Sequence, residues 1–452
     1  MNQNIALLLC CLSVLAACGG GDGGSGGGNL ISPGSSSSSS AASVGKFIYI
    51  PNNGANTITA YSINATTGAL TAIPGAPFAT GAGNFTSSLA AHPSGRFLYA
   101  TNLGNTNIAA SVSAFVVNNT TGALSLTSGS PYPVGLPVSF SYSIDTPMSH
   151  PDGKFLYIRK ATELQIFGYA VDQTSGALTS LASSPLPYTT LPGRFNYSNK
   201  LYYAPLFSSS NAVGVYAVDS VTGVGSSQGS APASQPVGIP AFDAANRYLY
   251  SASAARSIFG YSINATTGVL TALPGSPYAW PPAQGGTVPN SPPQVVVHAS
   301  GKFVYVLDLN VGGSTLLGNS NITIYSIDQT TGALTAVGSP VSTGGSFAVG
   351  MQIYKNGQFL LVTNLSGSVA IFGINLTTGA LTPAVGSPFS SPGPAPGIVM
   401  IDPSGKFAYL TDAVSNTITE FTIDATAGTI TVGPNYPTGP VPSRVPFIVG
   451  LQ

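Results

Sequence analysis

Ionisable side chains are scarce in this sequence, so the places where they gather stand out. There are 13 Lys and Arg and 13 Asp and Glu among 452 residues. Their densest group is Arg159-Lys160-Ala161-Thr162-Glu163. A carboxylate beside cations is equipment for hydrolysis: the carboxylate takes a proton from water, and a cation holds the oxyanion that develops. Glu163 and Asp145 are the candidate bases, and Arg159, Lys160, Arg194 and Arg256 are candidate holders of the anion. The spacing alone does not impose these roles. His92, His150 and His298 are numerous enough for a zinc site, yet each lies four residues before a recurring structural position, which assigns them to separate units. No metal and no cofactor is implied. Gly225-Ser226-Ser227-Gln228-Gly229 matches the nucleophile-elbow pattern, but no helix is predicted to follow it.

The elements that position these residues come from an internal repeat. A basic residue followed by Phe-x-Tyr or a close variant begins at Lys46, Arg96, Lys154, Lys200, Arg247, Lys302 and Lys406, with Gln358 completing the series. A second signature, Thr-Gly-apolar or a variant, has its glycine at 68, 122, 176, 223, 268, 332, 379 and 428. The two alternate strictly. Each unit reads as four short strands, A to D, with the tight hairpin between C and D at Asn-Ala-Thr-Thr-Gly or its equivalent. In the clearest stretches, 87–93 is a strand A, 96–101 a strand B, 57–63 a strand C and 69–73 a strand D. No segment has helical periodicity. Four-stranded units of about 50 residues arranged radially make a β-propeller. The expected fold is therefore all-β: one propeller over 46–452 with eight four-stranded blades. The C-terminal strand near Ser443–Gly450 closes the ring by completing the first blade. A seven-bladed ring is the alternative, because 206–240 is the weakest repeat.

The units Gly-Lys-Phe-Leu-Tyr (153–157), Asn-Thr-Ile-Thr-Ala-Tyr-Ser-Ile (56–63), Thr-Thr-Gly-Ala-Leu-Thr (66–71) and Gly-Ser-Pro (129–131) resemble those of the lactonase-like propeller family. That family includes bacterial 6-phosphogluconolactonase and borders the YVTN surface-repeat propellers. The resemblance covers 46–452 and implies a propeller, usually of seven blades, with lactone opening as its activity. Its motifs belong to the scaffold, so no catalytic residue is carried over.

Repeat position separates frame from candidate site. Seven basic residues share the slot at the head of strand B. His92, His150, His298, Asp243, Asp402 and Tyr354 share another, expected to cap the A–B turn. Asp172, Asp219, Asp328 and Asp424 replace asparagine at the C–D hairpin, and Asp308 and Asp412 replace it where the B–C loop starts. The remainder includes Asp145, Glu163, Glu420, Arg159, Lys160, Arg194, Arg256 and Arg444. These concentrate where B–C and D–A loops meet the inner strands, the mouth ordinarily used for ligands. Trp280, the sole tryptophan, opens one long loop there, and Asp308 opens another. Glu420 needs a partner if buried, and Arg444 is the expected one.

The first residues read as an address. Ile5–Ala17 is an apolar run too short to span a bilayer but suited to a signal peptide over 1–17. Leu15-Ala16-Ala17-Cys18 resembles a bacterial lipobox, which makes Cys18 the expected lipidation site. Cys10, Cys11 and Cys18 are the only cysteines; the body has no thiol for disulfides, metal or nucleophilic chemistry. The Gly/Ser-rich stretch over 18–45 is a tether with a reach of roughly 28 Å. Charged residues are 6% of the chain and the net charge is zero, which argues against nucleic-acid binding. The expectation is a lipid-anchored envelope protein, outer membrane favoured, facing the periplasm or the surface. It binds a small molecule, glycan or protein at the mouth. Extracytoplasmic lactone hydrolysis is the alternative.

Overall fold

The computed structural model describes residues 46–450 apart from 84, 105–107, 136–146, 161–164, 187–192, 197–199, 207–211, 236, 254, 281–292, 309–319, 355–356, 394–395, 398, 403, 425–428 and 441–446. The described residues form eight antiparallel sheets and no helix. Each sheet is a blade with strands in the order A-B-C-D. Blade 1 takes strand A from Phe447–Gly450 and continues with Lys46–Asn52, Thr57–Ile63 and Leu70–Ala72. Blades 2 to 8 then start at Thr86, Met148, Arg194, Ala241, Gln294, Ala348 and Met400. Lys46 pairs with Gly450 and Tyr49 with Phe447, so both ends of the chain meet in one blade, as expected. The alternative of seven blades falls. The weak repeat at 206–240 contributes to a complete fourth blade, Arg194–Asn196, Leu201–Leu206, Ala212–Val218 and Gly225–Pro232.

Strand boundaries follow the pattern closely. Strand C of blade 1 is Thr57–Ile63, as read. In blade 2, strand A is Thr86–Ala91 and strand B Phe97–Asn102, each shifted by about one residue. Strand B is buried along most of its length, and apolar in its first part, because it has a blade on each side. The two-residue period sends Phe47 and Tyr49 towards blade 2 and Ile48 and Ile50 towards blade 8.

Polar groups tie the blades in both directions around the ring. In six blades the strand B tyrosine donates its hydroxyl forwards, to the hairpin glycine carbonyl of the next blade. The pairs are Tyr49 to Gly122 at 2.7 Å, Tyr157 to Gly223 at 2.8 Å, Tyr203 to Gly268 at 3.2 Å, Tyr250 to Gly332 at 2.7 Å, Tyr305 to Gly379 at 2.9 Å and Tyr409 to Gly68 at 2.6 Å. Strand C tyrosines donate backwards: Tyr61 to Pro437, Tyr169 to Pro133, Tyr261 to Pro232 and Tyr325 to Ala279. Burial raises the pKa of Tyr49, Tyr61, Tyr169, Tyr250, Tyr261, Tyr305, Tyr325 and Tyr409, that of Tyr261 to about 12. They stay protonated and remain donors.

Candidate functional site

The A–B turns and C–D hairpins share one face, and the frame occupies it. His92 Nε2 donates to the Gly153 carbonyl in the A–B turn of blade 3 at 2.9 Å, and His298 does the same to Gly357. The Ser94 N–H reaches His92 Nδ1, so the ring is neutral with its proton on Nε2. Asp243 and Asp402 accept from backbone N–H groups four and five residues on. These are turn caps, as read from the repeat, with an added function for His92 and His298 of linking adjacent blades. Asn64 Oδ1 closes the hairpin by accepting from Thr66 and Thr67. Arg96 reaches the carbonyls of Gln173 and Thr174 in the next blade. Among the described residues no group of three His, Cys, Asp or Glu is placed to hold a metal.

B–C turns and D–A connections share the opposite face: Gly54 N–H donates to the Pro440 carbonyl, and Gly439 N–H to Asn52 Oδ1. This is the mouth. Arg159 lies in strand B of blade 3, in the slot of Thr101, Thr363 and Thr411, and is buried. Alternation puts it on the Phe155 and Tyr157 face, towards blade 4. Lys160 ends that strand. Arg194 is half-buried in strand A of blade 4 and pairs with Tyr203, which packs towards blade 5. Arg256, in the B–C turn of blade 5, faces blade 6. The three arginines therefore belong to three successive junctions. Glu163, Asp145, Arg444 and Cys18 lie outside the described residues.

At the junction of blades 5 and 6 a group comes together among the described residues. The Arg256 guanidinium lies over the Trp280 ring at 5.4 Å and 4.0 Å from Asp308 Oδ2. Trp280 is buried and its indole N–H donates to Thr323 Oγ1 at 2.9 Å. Arg256 and Trp280 are on blade 5, Asp308 and Thr323 on blade 6. The side chain of Asp308 is 2% exposed and that of Arg256 16%. A cation over an indole and beside a carboxylate is held in place with its charge answered locally. Repeat position had sorted Asp308 into the frame; its contact with a neighbouring blade was missed. Glu420 is buried, and its described partner is Tyr436, whose hydroxyl donates to Oε2 at 2.9 Å. Between blades 3 and 4 lies a cavity of about 20 Å³ lined by Met148, Tyr157, Ile166, Phe195 and Tyr202 among others. It presents no polar surface and suits neither water nor charge.

A closed ring of four-stranded sheets, with frame residues on one face and irregular charges on the other, defines a β-propeller with a single mouth. The profile described as "Lactonase, 7-bladed beta-propeller" matches residues 33–142 and 240–396, more than half of the chain. The chain belongs to this family, with eight blades where the description gives seven. The unmatched interval contains all the strands of blades 3 and 4, and with them Arg159, Lys160, Glu163 and Arg194. No curated protein matches the sequence. Among solved structures, a candidate 6-phosphogluconolactonase of Bacteroides fragilis is similar at 20% identity and a TM-score of 0.54, covering 92% of this chain and all of that one. The periplasmic gluconolactonase PpgL of Pseudomonas aeruginosa is similar at 15% identity and a TM-score of 0.55, covering 91% and 100%. The dihydro-heme d1 dehydrogenase NirN is similar at 13% identity and a TM-score of 0.59, covering 92% and 78%. At such identities the likeness is one of fold.

Proposed function

We propose that this propeller is held in the cell envelope by a lipid on Cys18 and binds an uncharged, hydroxyl-rich ligand of the sugar-lactone or glycan class at its mouth. The observation that carries this reading is the pairing of Arg256 with Asp308. Among the described residues, the Arg256 guanidinium lies over the Trp280 ring and 4.0 Å from the Asp308 carboxylate, which offsets its charge locally. A seat of this kind suits a neutral ligand better than a phosphorylated one, which requires uncompensated cations. Family membership supports lactones as the first ligands to test. The location stated for PpgL is consistent with an extracytoplasmic site, and the lipobox-like Leu15–Cys18 is consistent with an anchor.

Family membership also favours a second reading, hydrolysis of the bound lactone. Glu163 or Asp145 would take a proton from water while its oxygen bonds to the lactone carbonyl carbon. Arg159, Lys160 or Arg194 would hold the oxyanion. The ring C–O bond then breaks, and the proton passes to the leaving oxygen to give a hydroxy acid. Calorimetric titration with D-glucono-1,5-lactone and with its 6-phosphate, together with pH-stat measurement of acid release, tests both readings. Binding of the neutral lactone without acid release supports the first, and release above the spontaneous rate supports the second. Preference for the phosphate, or binding of neither lactone nor a panel of neutral glycans, overturns the proposed ligand class.

A further inference from the structure

We infer that the ligand seat lies over the junction of blades 5 and 6, and that Arg256, clasped by Trp280 and Asp308, is the residue that positions it. This rests on the ligand class proposed above. The internal repeat supplies the argument, because the same mouth contact recurs at other junctions and is rebuilt only in part from place to place. The residue before strand C is Asn56, Ala110, Ser320, Gly367 and Asn416 in blades 1, 2, 6, 7 and 8. Its carbonyl accepts from the N–H of Thr80, Val134, Thr343, Ser391 and Thr438 respectively. In blade 5 the corresponding pair is Arg256 and Trp280, joined by the same backbone hydrogen bond at 3.2 Å. Both slots therefore depart from small residues in one blade, and the two departures touch.

The backbone makes the choice of arginine harder to explain as frame. Arg256 has φ +65°, where the equivalent Asn56 and Asn416 have +53° and +55° and Gly367 has +91°. Asn and Gly are the residues that tolerate this left-handed conformation, and a long side chain there is strained. The facing slot changes as well. At the 6/7 junction Thr343 Oγ1 donates to Asn364 Oδ1, and at the 1/2 junction Thr86 Oγ1 contacts both Thr80 and Asn102. At the 5/6 junction that slot is Asp308, opposite the guanidinium. Neutral hydroxyl and amide contacts serve at the 6/7 and 1/2 junctions, and the aspartate in the same slot of blade 8, Asp412, accepts from the Val414 and Ser415 N–H groups of its own turn. A strained arginine, a buried indole and a buried carboxylate in register go beyond joining.

The single tryptophan makes the clasp observable. Acrylamide quenching of Trp280 fluorescence is measured in the parent, Arg256→Asn, Asp308→Asn and the double variant. Asparagine is the residue that blades 1 and 8 carry in the Arg256 slot, so Arg256→Asn folds. The expected result is a rise in quenching of about twofold in each single variant, and no further rise in the double variant, as for groups acting as one unit. Unchanged quenching in Arg256→Asn, or effects that add, overturns the clasp. The seat is then tested by titrating D-glucono-1,5-lactone against the same variants and against Asn416→Gly, a change in the equivalent slot of blade 8. Arg256→Asn should weaken binding by about tenfold or more, as expected for a misplaced positioning group, with Asn416→Gly unchanged. Equal weakening by both, or parent affinity in Arg256→Asn, overturns the seat. If the parent itself does not bind the lactone, the proposed ligand class falls and the seat with it, while quenching still decides the clasp.

Discussion

Tyr409 in blade 8 donates its hydroxyl to the Gly68 carbonyl in blade 1 at 2.6 Å, across 341 residues of sequence. The bond is the same tie that joins earlier blades, and here it helps close the ring. Tyr409→Phe leaves the Gly68 carbonyl without this buried donor. The expected cost is about 1–3 kcal/mol of stability, read as a lower urea midpoint at unchanged slope. Tyr49→Phe should cost a similar amount. If Tyr409→Phe is neutral while Tyr49→Phe is not, the closing junction does not depend on this tie.

Gly68 combines φ +81° with a position where an added Cβ would lie 2.3 Å from the Phe407 ring. Gly338 has φ +64° and nothing within 4 Å. Gly338→Ala should cost only the left-handed conformation, about 1–2 kcal/mol. Gly68→Ala should add overpacking of about 1–3 kcal/mol to that. Equal losses in thermal melts of the two variants would show that the hairpin does not press on the preceding blade.

His92 is held below its ordinary value of 6.5, chiefly by burial, with Arg96 adding to the shift and the Gly153 carbonyl and Asp152 opposing it. The folded state thus favours the neutral ring, and the unfolded chain takes up the proton first. Its contribution to stability is complete above pH 6.5 and is lost as pH falls through the folded value. Asp172, Asp219 and Asp328 are held below 3.8 by N–H and O–H donors from Ser175, Thr222 and Thr331. Their contribution is complete above that pH and is lost below it. Urea midpoints against pH should therefore fall in two stages, and His92→Asn should flatten the first. A single stage near pH 4 in the parent would refute the histidine assignment.

Cys18→Ser tests the anchor. The parent should partition with membranes after cell breakage and the variant with the soluble fraction, with matching mass spectra lacking the acyl groups. Membrane association that survives the substitution would mean that something other than a lipid on Cys18 holds the protein there.

Should acid release be seen, Glu163→Gln and Asp145→Asn identify the base. Loss of a general base lowers the rate by roughly 10²–10⁴-fold. A variant that keeps the parent rate excludes its residue, and two such variants move the base to a residue outside the Arg159–Glu163 cluster.

The repeat made the fold legible before any coordinates. Phe-x-Tyr at strand B, Thr-Gly at the hairpin and the split first blade all follow from local physics: two-residue periodicity in a strand buried on both sides, and a turn that needs positive φ. The frame roles of His92, Asp243 and Asn64 were legible for the same reason, since a residue recurring in a turn slot answers to the turn. Even the odd members, Arg256 and Trp280, are visible as departures when Gly275–Trp280 is set against Gly75–Thr80. What one dimension withheld was adjacency between blades. Asp308 looked like one more asparagine substitute, because its slot is shared and its partner lies 52 positions earlier in the chain. Arg159, Arg194 and Arg256 looked like one basic mouth, yet strand alternation and blade order assign them to three different junctions. Sequence determines which side chains alternate and where turns close; only the circular packing of the blades decides which of them meet.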